Sequence, residues 1–171
     1  GMSLNLDGPG MQWTDAAARA LGQEYANVSL GGGVFETVLP PDAKVSPEDT
    51  AGDLYIIEHT DEDKGGPPRH VHHAQDEWFY VLEGAYRIHI GEEAFDLGPG
   101  DSILAPREVP HVWAHVSDGK GRLIIAFQPA GQMESFLGAL AEMGSAPAPQ
   151  VMAALFASHG MTMLGPPLLA G

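Results

Sequence analysis

Residues 65–84 constrain the fold of this chain more than any other stretch, because they place histidines and a glutamate directly ahead of an apolar run. His70 and His72 are two residues apart, so both imidazoles point to the same face of an extended strand. Glu77 follows His72 by an odd number of residues and can share that face only if the strand breaks between them. Residues 74–76 have a turn-forming composition and predict that break, after which a second strand begins at Glu77.

Two imidazoles and one carboxylate are good ligands for a divalent transition metal ion, but three ligands leave a site incomplete. His111 is the best candidate for a fourth ligand. It follows a glycine turn, a short apolar strand and a proline at residues 100–106, and it opens another strand-like run. A strand that returns antiparallel across a small barrel brings His111 opposite the first two histidines. The sequence therefore predicts one metal site, formed by His70, His72, Glu77 and His111.

The same residues fall into two motifs that resemble those of the cupin superfamily. The first motif is matched residue for residue by His70-x-His72-x4-Glu77-x6-Gly84. The second motif has a similar counterpart in Gly100-x5-Pro106-x-Glu108-x2-His111-x3-His115. Glu108 stands where the family often has glycine, and His115 stands where it often has asparagine. Neither position is a metal ligand in the family, so these departures concern the wall of the pocket and leave the predicted ligands as they are.

The resemblance implies an all-β fold, the double-stranded β-helix or jelly-roll barrel of cupins, with short C-terminal α-helices. We expect the barrel over residues 30–130, an N-terminal arm over residues 1–29 and a helical C-terminal extension over residues 131–171. The tail at residues 160–168 resembles the ending of single-domain bacterial cupins similar to quercetin 2,3-dioxygenase. A homodimer is implied by the resemblance alone.

Hydrophobic periodicity predicts the individual elements. A nearly continuous apolar run at residues 122–127 predicts a central strand. It is followed by a stripe with helical spacing at residues 133–143 and by a second helix around residues 151–156. Residues 61–63 are predicted to form an acidic loop. The remaining predicted strands cover residues 34–39, 54–59, 77 onward, 85–90, 94–97, 102–105 and 111–116.

Composition limits the classes of partner that the protein is expected to bind. A chain of 171 residues predicts a single domain. A formal net charge of -15 repels phosphate backbones and anionic lipid, so we expect neither nucleic acid nor a membrane as a partner. The chain contains no cysteine, which excludes disulfides and thiolate metal sites. With no signal-peptide pattern and no apolar run long enough to span a bilayer, a cytoplasmic protein is expected.

The resemblance implies a mononuclear metal-dependent dioxygenase, similar to quercetinase-like cupins, that acts on a small aromatic or enolic molecule. In such cupins the glutamate coordinates the metal and takes the proton of the substrate hydroxyl. Glu77 is therefore expected to act as a ligand and as a base, or as a structural ligand only. Iron, manganese, nickel, copper, cobalt and zinc all accept this donor set, so the identity of the metal stays open.

Two other functions use the same ligands and stay open. Cupins include isomerases and decarboxylases as well as binding proteins, and a fold does not define a reaction. The first alternative is a metal-dependent isomerase or lyase that does not use dioxygen. The second is a non-catalytic protein that binds a small molecule.

Aromatic and apolar side chains are expected to line the substrate pocket. Tyr86, Ile88, Trp113 and Phe127 are the candidates, and such a lining suits a flat organic molecule. His115 shares a strand face with His111, so it either lines the pocket and bonds a substrate or is satisfied at the rim of the barrel.

Overall fold

The structure, a computed structural model, describes residues 42–143 and 147–169. The predicted N-terminal arm and the predicted strand at residues 34–39 lie outside the described residues. The described strands are, in chain order, β1 (Asp42–Val45), β2 (Tyr55–Asp61), β3 (Arg69–His72), β4 (Asp76–Glu83), β5 (Tyr86–Ile90), β6 (Glu93–Leu97), β7 (Ser102–Ala105), β8 (His111–His115), β9 (Gly121–Gln128) and β10 (Met161–Gly165).

The described strands form two five-stranded sheets whose recorded pairings are antiparallel. One sheet has the order β1-β2-β9-β4-β7, and the other has the order β10-β3-β8-β5-β6. Buried side chains from both sheets share one core, which includes Phe79, Val81 and Ile125 from the first sheet and Tyr86 and Ile88 from the second. This architecture confirms the jelly-roll prediction.

Buried and exposed side chains alternate along the strands as the sequence pattern predicts. On β4 the buried residues are Glu77, Phe79 and Val81, while Trp78 points outward. Strand β9 lies in the middle of its sheet, as its continuous apolar run predicts. Side chains at alternate positions therefore point into the barrel, and Glu77 is one of them.

Two helices follow the barrel strands, α1 (Met133–Met143) and α2 (Pro149–Ser158). The predicted stripe on α1 is confirmed by the burial of Met133, Phe136 and Leu140. On α2 the buried residues are Met152 and Phe156. These five side chains belong to the same core as the barrel residues, so both helices pack against the barrel. No helix among the described residues is long and apolar enough to cross a membrane.

The strand β10 is absent from the sequence prediction, which treats 122–127 as the last strand. Met161, Met163 and Gly165 are buried and alternate with exposed residues, which is the period of a strand with one covered face. Strand β10 pairs antiparallel with β3, with Met161 opposite His72 and Met163 opposite His70. The chain therefore returns from the helices to cover the edge of the strand that carries two histidines.

Candidate metal centre

Four side chains from three strands meet inside the barrel. His70 and His72 come from β3, His111 comes from β8, and Glu77 comes from β4 in the other sheet. One donor atom from each of the four residues lies within 4.8 Å of every other. All four residues are at most 5 % exposed. The structure thus brings together the four residues that the sequence predicts as ligands.

The strand register explains why these residues meet. His70 is paired directly with His111 across the antiparallel β3–β8 ladder. Between β3 and β4 the chain leaves strand geometry at residues 73–75, which resets the alternation. Glu77 can therefore point to the same interior as His70 and His72, although an uninterrupted strand would place it on the opposite face.

The donor atoms are close enough to share one cation. Glu77 Oε2 lies 2.8 Å from His111 Nε2, 3.2 Å from His72 Nε2 and 3.9 Å from His70 Nε2. His70 Nε2 and His72 Nε2 are 3.2 Å apart. In all four residues, the atom that faces the shared space can donate a lone pair to a metal ion.

Two of the histidines have a carbonyl oxygen beside Nδ1, so each ring can carry its proton there and offer an Nε2 lone pair to a metal ion. His70 Nδ1 lies 2.7 Å from the carbonyl oxygen of Pro68, and His111 Nδ1 lies 3.1 Å from that of Val109. A carbonyl oxygen only accepts, so Nδ1–H donates in His70. His111 also has Glu77 Oε2 at 2.8 Å from Nε2, so without a metal its single proton can be donated from either nitrogen. Lone pairs and a carboxylate facing one another repel unless a proton or a metal ion lies between them. The residues therefore fit a divalent metal ion.

The charge state of the centre also favours a cation. Burial alone raises the pKa of Glu77, but hydrogen bonds from His111 and His72 outweigh burial and hold the pKa below its usual value. Burial, followed by the nearby His111 and His72, lowers the pKa of His70 well below that of free histidine. At neutral pH the centre thus has an ionised carboxylate and a neutral His70, which are the forms that bind a metal.

Aromatic rings surround the four side chains. The ring centroid of Phe127 is 6.0 Å from that of His72, and the centroid of Phe156 is 5.2 Å from that of His70. Phe79 lies 6.4 Å from His111 in an edge arrangement. The centre is therefore enclosed by apolar groups on several sides, with Phe156 contributed by α2.

Comparison with known proteins bears on this site. The family description "Cupin domain" matches residues 57–127, a stretch that contains all four converging side chains. This stretch forms a cupin domain.

Similarity to individual proteins is more limited. An uncharacterized protein of Streptomyces coelicolor is 33% identical over 57 residues, which cover 33% of this chain and 53% of that protein. The match thus spans about half the length of that relative. KdgF from Halomonas sp. has 28% sequence identity and a TM-score of 0.41, over 46% of this chain and 70% of that chain. An RmlC-like cupin from Shewanella frigidimarina has 28% identity and a TM-score of 0.39, over 46% of this chain and 68% of that chain.

The predicted pocket residues of the cupin domain lie at different distances from the four predicted ligands. Phe127 contacts His72 and borders the centre. Trp113 packs between Phe79 and Tyr86, with ring centroids 6.2 Å and 6.0 Å away. Ile88 is fully buried and paired in register with Trp113. Contact of these residues with a substrate stays a prediction.

His115 and Tyr86 belong to a second polar group inside the barrel. His115 Nδ1–H donates to the carbonyl oxygen of Asp63 at 3.1 Å, and Nε2 accepts from Ser117 Oγ at 2.8 Å. Tyr86 Oη donates to Asp61 Oδ2 at 2.8 Å. Both nitrogens of His115 thus have protein partners, which favours the alternative of a histidine satisfied at the rim. Gly84 of the first motif permits this arrangement, since a Cβ there would lie 3.0 Å from His115 Nε2 and its φ is +80°.

Sequence reasoning missed two residues near these groups. Asp61 was expected in an acidic loop, but it ends β2 and is only 3% exposed. The signal that could have located it is the alternation of Tyr55, Ile57 and His59, which continues to Asp61 on the same face. Phe156 was assigned to helix packing, and its contact with His70 depends on a helix fold-back that the local sequence does not encode.

Proposed function

We propose that the cupin domain binds one divalent transition metal ion through His70, His72, Glu77 and His111. We further propose that the protein is a dioxygenase acting on a small aromatic or enolic molecule. The observation that carries the proposal is the convergence of four buried donor atoms within 4.8 Å inside an aromatic-lined barrel. The resemblance to quercetinase-like cupins supports the choice of reaction.

The metal ion would supply the reactive centre. When bound, it offers Lewis-acid activation of a substrate oxygen and an open coordination position for a second ligand. Four protein ligands leave one or two positions free in a five- or six-coordinate ion. The donor set accepts iron, manganese, nickel, copper, cobalt or zinc.

Glu77 is the proposed general base. The carboxylate is ionised at neutral pH and is therefore in the form that accepts a proton. Its lowered pKa makes it a weak base, so the transfer would depend on a bound metal ion lowering the pKa of the substrate hydroxyl. The substrate hydroxyl would transfer its proton to a Glu77 carboxylate oxygen, which leaves the substrate oxygen anionic. Because Glu77 lies 4% exposed among aromatic rings, water is largely kept from competing for this proton.

The apolar wall supports a flat substrate. Phe79, Phe127 and Phe156 approach the histidines from different elements and present ring faces and edges to the centre. A planar aromatic or enolic ligand can pack against such rings, while its oxygen atoms face the polar centre. The cupin fold itself suggests a small-molecule ligand.

Metal content and oxygen uptake test the proposal. Protein purified without chelators is expected to hold one equivalent of a transition metal, and the metal-loaded protein to consume dioxygen with a member of a flavonol and enol panel. His70→Ala should lose the metal. His89→Ala, on the outward face of β5, is the matched control and should keep it.

Each failure has a separate meaning. Absence of metal from the wild type and the control would reject the metal centre. Bound metal without oxygen uptake on any flavonol or enol would reject the dioxygenase. Turnover under strict anaerobiosis would assign an isomerase or lyase instead, and tight binding without product would assign a binding protein.

Glu77→Gln tests the base. The amide keeps the size of the side chain but cannot accept the proton as a carboxylate does. We expect at least a 100-fold loss of turnover, in line with removal of a general base, measured at saturating metal so that weaker coordination does not contribute. Near-normal turnover would leave Glu77 as a structural ligand. The homodimer, the cytoplasmic location and the domain boundaries between residues 29 and 30 and between residues 130 and 131 stay predictions.

A further inference from the structure

The three histidines of the centre differ in what surrounds Nδ1. His70 and His111 each have a carbonyl acceptor there, provided by Pro68 and Val109. His72 Nδ1 is buried and, within the part of the chain that the structure describes, has no hydrogen-bond partner.

Two apolar side chains neighbour His72. Met161 lies opposite it in the β3–β10 ladder, and Phe127 is 6.0 Å away between ring centroids. Neither side chain carries an oxygen or nitrogen acceptor. His72 itself is 1% exposed, so solvent does not replace the missing group.

This difference determines the tautomers before a metal binds. A neutral imidazole carries one proton, which stays where an acceptor is available. In His70 that position is Nδ1. In His72 it is Nε2, because Glu77 Oε2 and His70 Nε2 both lie 3.2 Å from that nitrogen. His70 thus already presents a free Nε2 lone pair, whereas His72 does not.

Binding a metal at Nε2 of His72 requires its proton to move to Nδ1. There the N–H would be buried without an acceptor, which is unfavourable. His70 and His111 meet no such penalty, and a hydrogen bond from the second ring nitrogen strengthens a histidine ligand.

We infer that His72 is the weakest ligand of the centre and that, when the metal binds, its ring proton moves to a nitrogen without an acceptor. The inference rests on the proposed metal site and extends it, since it ranks ligands that the donor set alone would treat as equal. It also identifies the coordination position that a competing ligand displaces most readily.

Nitrogen NMR tests the tautomers directly. Full-length protein labelled with ¹⁵N is stripped of metal with a chelator, and long-range ¹H–¹⁵N spectra are recorded before and after one equivalent of zinc, with the imidazole signals assigned through bonds. We expect His72 Nδ1 to change from an unprotonated to a protonated nitrogen on adding zinc, and His70 Nδ1 to be protonated throughout. A protonated His72 Nδ1 in the zinc-free protein would overturn the inference.

Zinc affinity provides the second test. Competition with a chelator is measured for the wild type, His70→Ala, His72→Ala and His111→Ala, after circular dichroism has shown which variants are folded. We expect His72→Ala to lose about tenfold less affinity than the other two, because outer hydrogen bonds to ligands typically change affinity 10- to 100-fold. Equal losses would reject the ranking and keep the metal site. Failure of the wild type to bind zinc would reject the site itself, and the inference with it.

Discussion

Glu77 and Asp61 are both buried carboxylates, but different side chains hold them. Glu77 faces three imidazoles, while Asp61 accepts hydrogen bonds from Tyr86 Oη at 2.8 Å and from His59 Nε2 at 2.9 Å. A buried carboxylate needs such donors, because an unpaired charge inside a protein is strongly unfavourable. We therefore interpret the Asp61 group as a structural element of the barrel, whereas the Glu77 group has the donor atoms of a candidate metal site.

Replacing Tyr86 with Phe separates these two roles. Tyr86→Phe removes a donor to a buried charge, so we expect the free energy of unfolding to fall by about 2 kcal/mol. Zinc affinity should stay the same. Urea denaturation and chelator competition measure the two quantities, and Tyr80→Phe on the outward face of β4 is the control. A loss of zinc affinity with unchanged stability would move Tyr86 into the metal centre.

The ion pair between Asp76 and Arg107, at the start of β4, makes the stability of the fold depend on pH. Asp76 accepts hydrogen bonds from Arg107 Nε, Nη2 and the backbone N–H at 3.0, 2.8 and 2.8 Å. The side-chain bonds, followed by the backbone bond, lower the pKa of Asp76 to about 2. A carboxyl group whose pKa is lowered in the folded state adds stability above its unfolded pKa, and this contribution disappears as the pH falls through the folded value.

We expect Asp76→Asn to reduce the free energy of unfolding by about 1 kcal/mol at neutral pH, since solvent screens a half-exposed pair. The difference from wild type should shrink as the pH falls from about 4 towards about 2, where the wild-type carboxyl becomes protonated. Urea titrations of both proteins at several pH values measure this difference in the free energy of unfolding. Asp53→Asn, at an exposed position, is the control. A difference that persists at pH 2 would point to a cause other than the charge.

At the scale of the elements, α2 and β10 enclose the metal centre from the C-terminal side. Phe156 of α2 packs on His70, and it also packs edge-on against Phe136 of α1 with centroids 4.9 Å apart. Strand β10 pairs with β3, the strand that carries two ligands. The residues after 130 are therefore part of the wall of the site.

Phe156→Ala tests this enclosure. Truncating a buried phenylalanine typically costs about 3–5 kcal/mol of stability, and here it also opens a path beside His70. We expect lower stability together with faster transfer of bound zinc to a chelator in stopped-flow mixing. Val151→Ala on the same helix is the control, because Val151 is 49% exposed. Unchanged zinc release from folded Phe156→Ala would show that the helix does not limit access.

The sequence predicted the ligands better than their surroundings, and the reason is physical. Motif spacing and strand alternation define which way His70, His72 and Glu77 point, because these are local properties. The pairing of β10 with β3 joins residues about 90 positions apart, and nothing local encodes it. The shared strand face of His111 and His115 left two alternatives open for His115, because alternation does not tell which partners a side chain finds. The hydrogen bonds of His115 to Asp63 and Ser117, which favour the rim, depend on loops that the strand pattern does not encode.

At the scale of the whole molecule, the candidate metal centre joins the two sheets. Three of its donors come from the β10-β3-β8-β5-β6 sheet and Glu77 comes from the other. Without a metal ion, two effects act across the space between the sheets. The converging lone pairs repel one another, and the hydrogen bonds to Glu77 hold the side chains together. A bound cation would replace both with direct bonds from each sheet.

Zinc should therefore stabilise the entire fold rather than one loop. A ligand that binds only the native state adds about 2.7 kcal/mol when its free concentration is 100 times its dissociation constant. We expect a corresponding rise in the melting temperature and slower amide exchange in β3, β4 and β8 together. Glu77→Ala should bind zinc more weakly and lose the coupled protection of β4, whereas His89→Ala should behave as wild type. Protection confined to β3 and β8 in the wild type would show that Glu77 does not bind the ion, because Glu77 is the one member of the four-residue cluster, within residues 42–143 and 147–169, that lies in the second sheet.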